Sequence, residues 1–477
     1  MIVAIARKEF REITRDGRFR WLAAACLLLM IAATLGGWQS VLTQLRDRTA
    51  AVQSERANFL EQGARNPHAA AHFGQYAFRP VLLPAAIDPG AGAFMGSMIW
   101  MEAHRQNLPE FRPAEDSTGS GRSGRLSVAW VLQFVVPLLI VVSTYAAIAG
   151  EREQGTLGLA LSQGPGLPTL LSGKGLAVAA ILLALLLPLV ALSVCLFAIV
   201  TPGTDTPGVA GRLAWMGLAY GLYLMTFVGL SLLVSTVAKT RRTAFLTLVA
   251  AWLFTVVAVP RVAADLAARV HPTPTPTAFW SAIRRGDGLD GAATDPRARA
   301  AGLRRDLKAE LLARYRVDSI AALPVNFTAV FLQRLEEQDA PIFDYNFERL
   351  WQTYEAQRRY QQRFALLSPL IAVRALSMAM AGTDPYAQYH FSRAAEDHRR
   401  QFVRQLNEKQ AVDGAGKGFY VAPADSWEAI PTLHYHPPPT GAVLRRHRAD
   451  LAVLALWAAL PFLLAQRVAR KARHGGS

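Results

Sequence analysis

Residues 126–157 read LSVAWVLQFVVPLLIVVSTYAAIAG followed by EREQGTL. The run 126–150 contains no Asp, Glu, Lys or Arg and is long enough to cross a bilayer, which takes about 20 apolar residues at about 1.5 Å each. Glu151, Arg152 and Glu153 follow directly, and another long apolar run begins at Lys174. A charged segment between two membrane helices is a surface that a membrane protein would offer to a soluble partner.

The composition extends this interpretation to the whole chain. Of 477 residues, 52% are hydrophobic and only 18% are charged, which is typical of a membrane protein. Apolar runs of spanning length predict six transmembrane helices, at 21–40, 126–150, 174–201, 213–237, 243–263 and 449–467. We therefore expect an all-α membrane protein whose first span is preceded by an N-terminal interfacial helix in residues 1–20.

The interiors of these runs lack ionisable residues. A charge at membrane depth is costly and usually marks a proton or ion path, so its absence argues against a proton-coupled transporter. Any energy source must then act from outside the spans. The two cysteines, Cys26 and Cys195, both lie in apolar runs, so neither a disulfide framework nor a zinc site follows from them.

The net charge of +16 lies largely beside the apolar runs, where it indicates topology and lipid contact rather than nucleic-acid binding. Lys and Arg are concentrated in segments on one side of the predicted topology: 1–20, 239–242 and 468–477. We therefore expect both termini and the loop 151–173 to be cytoplasmic. Arg445, Arg446 and Arg448 disagree, but they end a long loop, where the charge rule is weak.

Two large segments fall on the other side, 41–125 and 264–448. The first begins with a polar helical stretch that prolongs span one, and it ends in a Ser/Gly-rich stretch, 116–124, typical of a flexible linker. The second is large enough to fold as a domain. Its helix-forming stretches are 297–316, 346–367 and 386–410. We expect a large helical extracytoplasmic domain between spans five and six.

Two histidine pairs lie in these external segments. His68 and His72 are spaced to share a helix face, and His434 and His436 flank Tyr435. Either pair could contribute to a copper or zinc site. Spacing identifies no third ligand, so we expect these histidines to be exposed or hydrogen-bonded rather than to bind a metal.

Glycine and proline mark local features of the spans. Gly217 and Gly221 in span four have the spacing of a close helix–helix contact, either within this chain or with another. Pro137, Pro188 and Pro260 predict interruptions of spans two, three and five.

The sequence Ser172-Gly173-Lys174-Gly175 is superficially similar to a phosphate-binding loop, G-x-x-x-x-G-K-[ST]. Pro168 stands where the first glycine should be, and Gly175 replaces the Ser or Thr that would bind magnesium. We therefore expect no nucleotide and no other cofactor to be bound by this chain, and energy must come from a partner.

From the residues alone, the segment after Gly150 is either a docking helix or an ordinary polar loop. The order Glu151-x-Glu153-x-Gly155-Thr156-Leu157, followed by Gly173-Lys174, resembles the first cytoplasmic loop of type-2 ABC transporter permeases. The N-terminal Lys8-Glu9-Phe10-Arg11-Glu12 resembles the interfacial helix of the same permeases. The motifs of the first external segment, at 76–80, 88–90 and 102–107, are similar to a bacterial subfamily with large external loops after spans one and five.

This resemblance implies a permease subunit of an exporter in the bacterial inner membrane, which couples to a separate ATPase subunit. The implied coupling residues are Glu151, Arg152, Glu153, Gly155, Thr156 and Leu157. A second permease copy or a homologue would complete the membrane part, and the external domain would gate the exit or receive a periplasmic partner. The alternative is a membrane scaffold or envelope assembly factor that works through its external domain. The sequence does not indicate the cargo.

Overall fold

The computed structural model describes residues 1–115, 126–200, 208–289 and 295–474, and the predicted linker 116–124 lies outside these ranges. The described chain is built almost entirely of helices. In chain order they are α1 (Ile2–Arg15), α2 (Gly17–Leu60), α3 (Pro67–Phe73), α4 (Val128–Trp130), α5 (Val136–Thr144), α6 (Ala149–Glu153), α7 (Thr156–Ser162), α8 (Leu167–Val200), α9 (Val209–Val237), α10 (Arg241–Trp252), α11 (Val259–Val270), α12 (Pro276–Arg285), α13 (Pro296–Tyr315), α14 (Phe327–Arg363), α15 (Pro369–Ala381), α16 (Pro385–Asp413), α17 (Thr440–Arg446) and α18 (Arg448–His474).

Within the described residues, six helical stretches are long and apolar enough to cross a membrane. They are Gly17–Leu60, Val128–Glu153, Leu167–Leu196, Val209–Val237, Arg241–Val270 and Arg448–Lys471. The predicted all-α membrane fold is therefore confirmed. Span four, α9, lies at the centre of the bundle and packs against spans two and six, and its side chains Tyr223, Val228 and Leu232 are fully buried.

Two spans contain a π-helical turn just ahead of a proline. Val131–Val135 precedes Pro137 in span two, and Leu253–Ala258 precedes Pro260 in span five. Proline has no N–H to donate and its ring crowds the carbonyl four residues earlier, so the helix widens there. Pro188 of span three, in contrast, lies inside the continuous helix α8.

The glycine pair of span four packs against nothing within the described chain. A Cβ atom added at Gly217 or Gly221 would have no neighbour within 4 Å among the described residues. The predicted close contact is therefore not an internal one, and this helix face is open to lipid or to another chain.

Beyond the membrane, α2 continues as one helix to Leu60, as the sequence predicted. Phe59 near its end is fully buried, with ring centroids 5.8 Å from Phe402 and 6.4 Å from Trp427. The hydrophilic segment that precedes span two in the sequence and the one that follows span five therefore share an aromatic core.

A two-stranded antiparallel hairpin, not predicted from the sequence, lies in the first hydrophilic segment. Its strands are β1 (Gln75–Phe78) and β2 (Met98–Met101), with Gln75 opposite Met101. Strands of 4 residues are too short to show a clear alternation of polar and apolar side chains.

Of the helices predicted in the second hydrophilic segment, α13 and α16 lie close to the expected positions, but α14 begins well before residue 346. Asn326 caps it by accepting a hydrogen bond from the N–H of Ala329 at 3.1 Å. Pro341 lies inside this helix, where a proline usually predicts a break.

Helix α15 was not predicted, and it inserts between the spans. Leu370, Val373 and Leu376 are fully buried in the same apolar core as spans four and six. The Arg212 guanidinium of span four donates to the carbonyls of Ala379 and Met380, at 3.3 and 3.1 Å, and so satisfies the end of α15. The second hydrophilic segment is therefore partly built into the membrane bundle.

Candidate functional site

The N-terminal helix α1 lies against the beginning of span three. Its exposed face carries charged side chains, whereas Ala6 and Glu9 are buried. The contact needs Gly173, because a Cβ atom there would come within 2.5 Å of the Ile5 side chain. The glycine thus lets the two helices approach closely.

Lys174, one residue further on, joins three parts of the chain. Its Nζ atom lies 2.6 Å from Oε1 of Glu9 in α1 and 2.8 Å from Oε1 of Glu151 in α6. The Lys174 side chain is only 5% exposed, so these contacts are screened little by water. We call Glu9, Glu151 and Lys174 the lysine hub.

Lys8 adds a second cation at the edge of the lysine hub. Its Nζ atom lies 4.0 Å from Glu9 and 3.3 Å from Glu12. Partial burial acts to lower the pKa of Lys8, but the charges of Glu12 and Glu9 raise it overall. Lys8 therefore stays protonated and partly balances the two carboxylates that share Lys174.

Arg152 connects α6 to the end of span four. Its guanidinium donates to the carbonyls of Thr236 and Ala238, at 2.7 and 2.5 Å. Carbonyls in the last turn of a helix have no partner within the helix, and a cation near them is favourable. The arginine therefore caps span four.

Glu153 makes the matching contact with span five. Its Oε2 atom accepts hydrogen bonds from the backbone N–H of Arg241 at 2.9 Å and from the Arg241 side chain at 3.3 Å. A carboxylate at a helix N-terminus is favoured by the free N–H groups there. Glu153 is exposed, so this contact is weaker than the lysine hub.

The helix of span two is interrupted between Thr144 and Ala149, and Ser235 of span four closes the interruption. The Ser235 Oγ atom accepts from the N–H groups of Ile148 and Ala149, at 2.9 and 3.1 Å, and donates to the carbonyl of Tyr145 at 2.8 Å. This hydroxyl fixes where α6 leaves the bundle.

The rest of the predicted motif forms the start of α7. Gly155 precedes it with φ of 74°, a left-handed conformation that favours glycine. Thr156 is exposed, and Leu157 is partly buried against the main core. Leu159 is 64% exposed, which makes it the most prominent apolar side chain of this short helix.

A family model described as ABC-2 family transporter protein matches residues 3–468. This chain belongs to the ABC-2 transporter family. It is a multi-pass permease of that family, as the resemblance implied. A search of curated proteins found no match.

The structure places the six predicted residues of this ABC-2 permease in three groups. Glu151, Arg152 and Glu153 bond to other parts of the same chain, Gly155 and Thr156 are exposed, and Leu157 is partly buried against the main core. A role in coupling remains a prediction for all of them. Sequence reasoning gave no role to the neighbouring residues that complete the arrangement: Glu9, Gly173, Lys174, Ser235 and Leu159.

For one of these residues, Lys174, the sequence does indicate that an acidic partner is needed. Lys174 stands in the first turns of an apolar span, where a lysine needs an acidic partner or an exit to water. Acidic residues lie both in the preceding loop and in the N-terminal helix, so an ion pair could have been sought between them. The pairing itself depends on how the helices are arranged.

Proposed function

We propose that this permease is the membrane subunit of an ATP-driven exporter and that a separate ATPase subunit binds the exposed face of α7 together with α1. One observation carries the proposal. The three consecutive charged residues of α6 each bond to a different span: Glu151 to span three, Arg152 to span four and Glu153 to span five. A displacement of α6 and α7 would therefore reach three spans at once.

The lysine hub would carry the largest part of this displacement. Lys174 is almost fully buried and holds α1, α6 and span three through contacts of 2.6 and 2.8 Å. An ATPase that moves when it binds ATP would push on α7, and the lysine hub would move α1 and span three together. On α7 the surface left for the ATPase is uncharged and centred on Leu159 and Thr156, whereas α1 adds charged side chains beside it.

The same proposal places this end of the bundle in the cytoplasm of a bacterium. The charge distribution supports it, because the basic residues of α1, of the link before span five and of the end of α18 all lie at this end. Arg446, whose position is at odds with the charge rule, makes contacts within the protein. It pairs with Glu355, and its guanidinium lies 4.2 Å from the ring centroid of Tyr386.

A second permease, identical or homologous, would complete the membrane part. The open face of span four around Gly217 and Gly221 supports this step, because small residues allow close helix contact in membranes. Export rather than import rests on the family resemblance of the cytoplasmic loop.

The test is assembly of the full chain with its ATPase. The chain is purified from its native membranes through a C-terminal tag, and co-purified ATPase subunits are quantified by mass spectrometry and by ATP hydrolysis. Leu159→Arg should abolish co-purification, because it places a charge in the proposed apolar contact. Val412→Arg is the matched control, since Val412 is similarly exposed, at 67%, at the opposite end of the molecule.

A second variant separates binding from coupling. The double variant Glu153→Arg, Gly155→Trp removes the contact between α6 and span five and disturbs the start of α7. It should lower ATP hydrolysis by any complex that still forms. Unchanged assembly and unchanged hydrolysis in both variants would refute the coupling role. Enrichment of envelope proteins without any ATPase would instead favour the scaffold alternative.

A further inference from the structure

Three histidines meet at the hydrophilic end of the molecule, far from the lysine hub. His68 and His72 lie on α3, and His104 lies in the turn after β2. Their ring nitrogens all lie within 4.8 Å of one another, and the ring centroids are 4.8 to 5.2 Å apart. Spacing alone identified no third ligand for the His68–His72 pair, and the fold brings His104 to it.

The hydrogen bonds around His68 fix which of its nitrogens carries the proton. Glu337 is a carboxylate and can only accept, so Gln333 donates its Nε2 to it at 3.0 Å. Asn407 then donates to Gln333 Oε1 at 3.1 Å, and its own Oδ1 accepts from His68 Nδ1 at 3.0 Å. With the proton on Nδ1, the Nε2 atom of neutral His68 presents a lone pair.

The same reasoning applies to His104. Its Nδ1 atom lies 3.1 Å from Oε1 of Glu336, whose other oxygen is held by Arg399 at 3.2 Å. Glu336 and Arg399 are 10% and 4% exposed, so this is a buried, ordered support. In neutral His104 the Nδ1–H donates to this carboxylate, and Nε2 then carries a lone pair as it does in His68.

The two lone pairs face each other. The Nε2 atoms of His68 and His104 are 3.1 Å apart. Two neutral rings in these tautomers cannot form a hydrogen bond through these atoms, because neither nitrogen has a proton to donate. A cation between them removes the repulsion, and two nitrogens bound tetrahedrally to zinc at about 2.0–2.1 Å would lie about 3.3 Å apart.

We propose that His68, His72 and His104 form a binding site for a divalent zinc ion. His68 and His104 bind through Nε2, and rotation of the more exposed His72 side chain brings in the third nitrogen. Three histidines suit zinc and leave its fourth position open to water or to another ligand. Glu336 and Asn407 orient the ligating rings, as carboxylates and amides do around many metal sites.

Zinc at this site would join elements that are distant in sequence. The ligands come from the first hydrophilic segment, whereas the residues that orient them come from α14 and α16. The ion would therefore hold the first segment against the second. His104 has φ of 63°, a conformation uncommon outside glycine, and it is held there by the bond from its N–H to Glu336.

The test is direct zinc binding by the full chain. The chain is purified in detergent with a tag that contains no histidine, stripped with a chelator and titrated with Zn²⁺ against a chromophoric competitor. Wild type should bind one ion per chain, and its thermal unfolding midpoint should rise with Zn²⁺. Glu336→Gln, which only orients a ligand, should weaken binding by about 10–100-fold, and His72→Ala should weaken it further.

The matched control is the double variant His434→Ala with His436→Ala, since this exposed pair lies in the same hydrophilic part of the molecule. Zinc affinity should be unchanged in that variant. His72 is exposed, so His72→Ala should fold normally, which circular dichroism checks independently of zinc. Absence of stoichiometric binding, or equal affinity in wild type and His72→Ala, would overturn the site and leave a proton shared between His68 and His104.

Discussion

The two ends of the helix bundle are held together by different forces. At the lysine hub, helices meet at their ends and are joined by charges, with Lys174 between Glu9 and Glu151. At the other end, around Asp88, the joint is made of packing and hydrogen bonds. There α15 inserts among the spans, and Ser377 on it donates to Asp88 at 2.5 Å.

The hydrogen bonds at the Asp88 end continue into the bundle. The hydroxyl oxygens of Ser377 and Tyr220 are 2.9 Å apart, and the Tyr220 hydroxyl accepts from Gln133 of span two at 3.0 Å. Ion pairs at helix ends connect rigid pieces that can move together, whereas a helix packed among spans resists relative movement. The comparison suggests a moving end and a fixed end, and variants at each can test it.

The largest effect is expected at Lys174. Lys174→Met leaves Glu9 and Glu151 close together, largely buried and without their shared cation. Removal of one partner from a buried ion pair typically costs about 3–5 kcal/mol of the free energy of unfolding. Reversible unfolding of the chain in detergent measures this loss.

Lys239→Met is the control for Lys174, because Lys239 lies exposed at the same end and its loss should cost less than about 0.5 kcal/mol. Adding Glu9→Gln and Glu151→Gln to Lys174→Met should recover much of the stability, since no unpaired charge remains. A Lys174→Met protein as stable as wild type would mean that the lysine hub does not hold the helices together.

A smaller loss is expected at the other end, from Leu376→Ala in α15. Leu376 is fully buried among the spans, and a buried Leu→Ala change typically costs about 2–5 kcal/mol; we expect the lower half of that range. Leu366→Ala is the control, because Leu366 lies just before α15 and is 61% exposed. Equal losses in the two variants would show that α15 is not packed into the bundle.

The sequence allowed the spans to be predicted but not α15, and the reason is length. Uncharged runs of about 20 residues have few explanations other than a membrane helix. Pro369–Ala381 has 13 residues, which is short of a span and equally typical of a buried helix in a soluble domain. Its position between spans four and six depends on contacts that no local pattern encodes.

The candidate site, like the fold, could be predicted only in part from the sequence. The charged motif after Gly150 was visible, but which partner each charge bonds depends on the placement of spans three, four and five. His104 is distant from His68 in sequence and reaches it only because the β1–β2 hairpin returns the chain to α3. Residues that only the tertiary structure brings together have no characteristic spacing in the sequence.

The smallest effect is expected from Asp88→Asn, and it concerns pH. Asp88 is buried, and burial raises the pKa of its carboxyl above that of the unfolded chain, about 3.9. The folded protein then holds this proton more tightly than the unfolded chain. Its contribution to the free energy of unfolding is therefore largest at low pH and falls as pH rises from about 4 through the raised pKa.

Asparagine carries no such proton, so Asp88→Asn should remove that fall while keeping an acceptor for the N–H of Gly90, now 3.0 Å from Asp88. The difference between wild type and variant is measured by unfolding at about pH 4.5 and 7.5. Asp413→Asn is the control with the opposite sign, because Lys409 lowers the pKa of Asp413 and its contribution changes only at lower pH. If Asp88→Asn leaves the pH dependence unchanged, Asp88 is ionised at both pH values. The Asp88 end would then be held by charge as the lysine hub is, and the contrast between the two ends would rest on the packing of α15 alone.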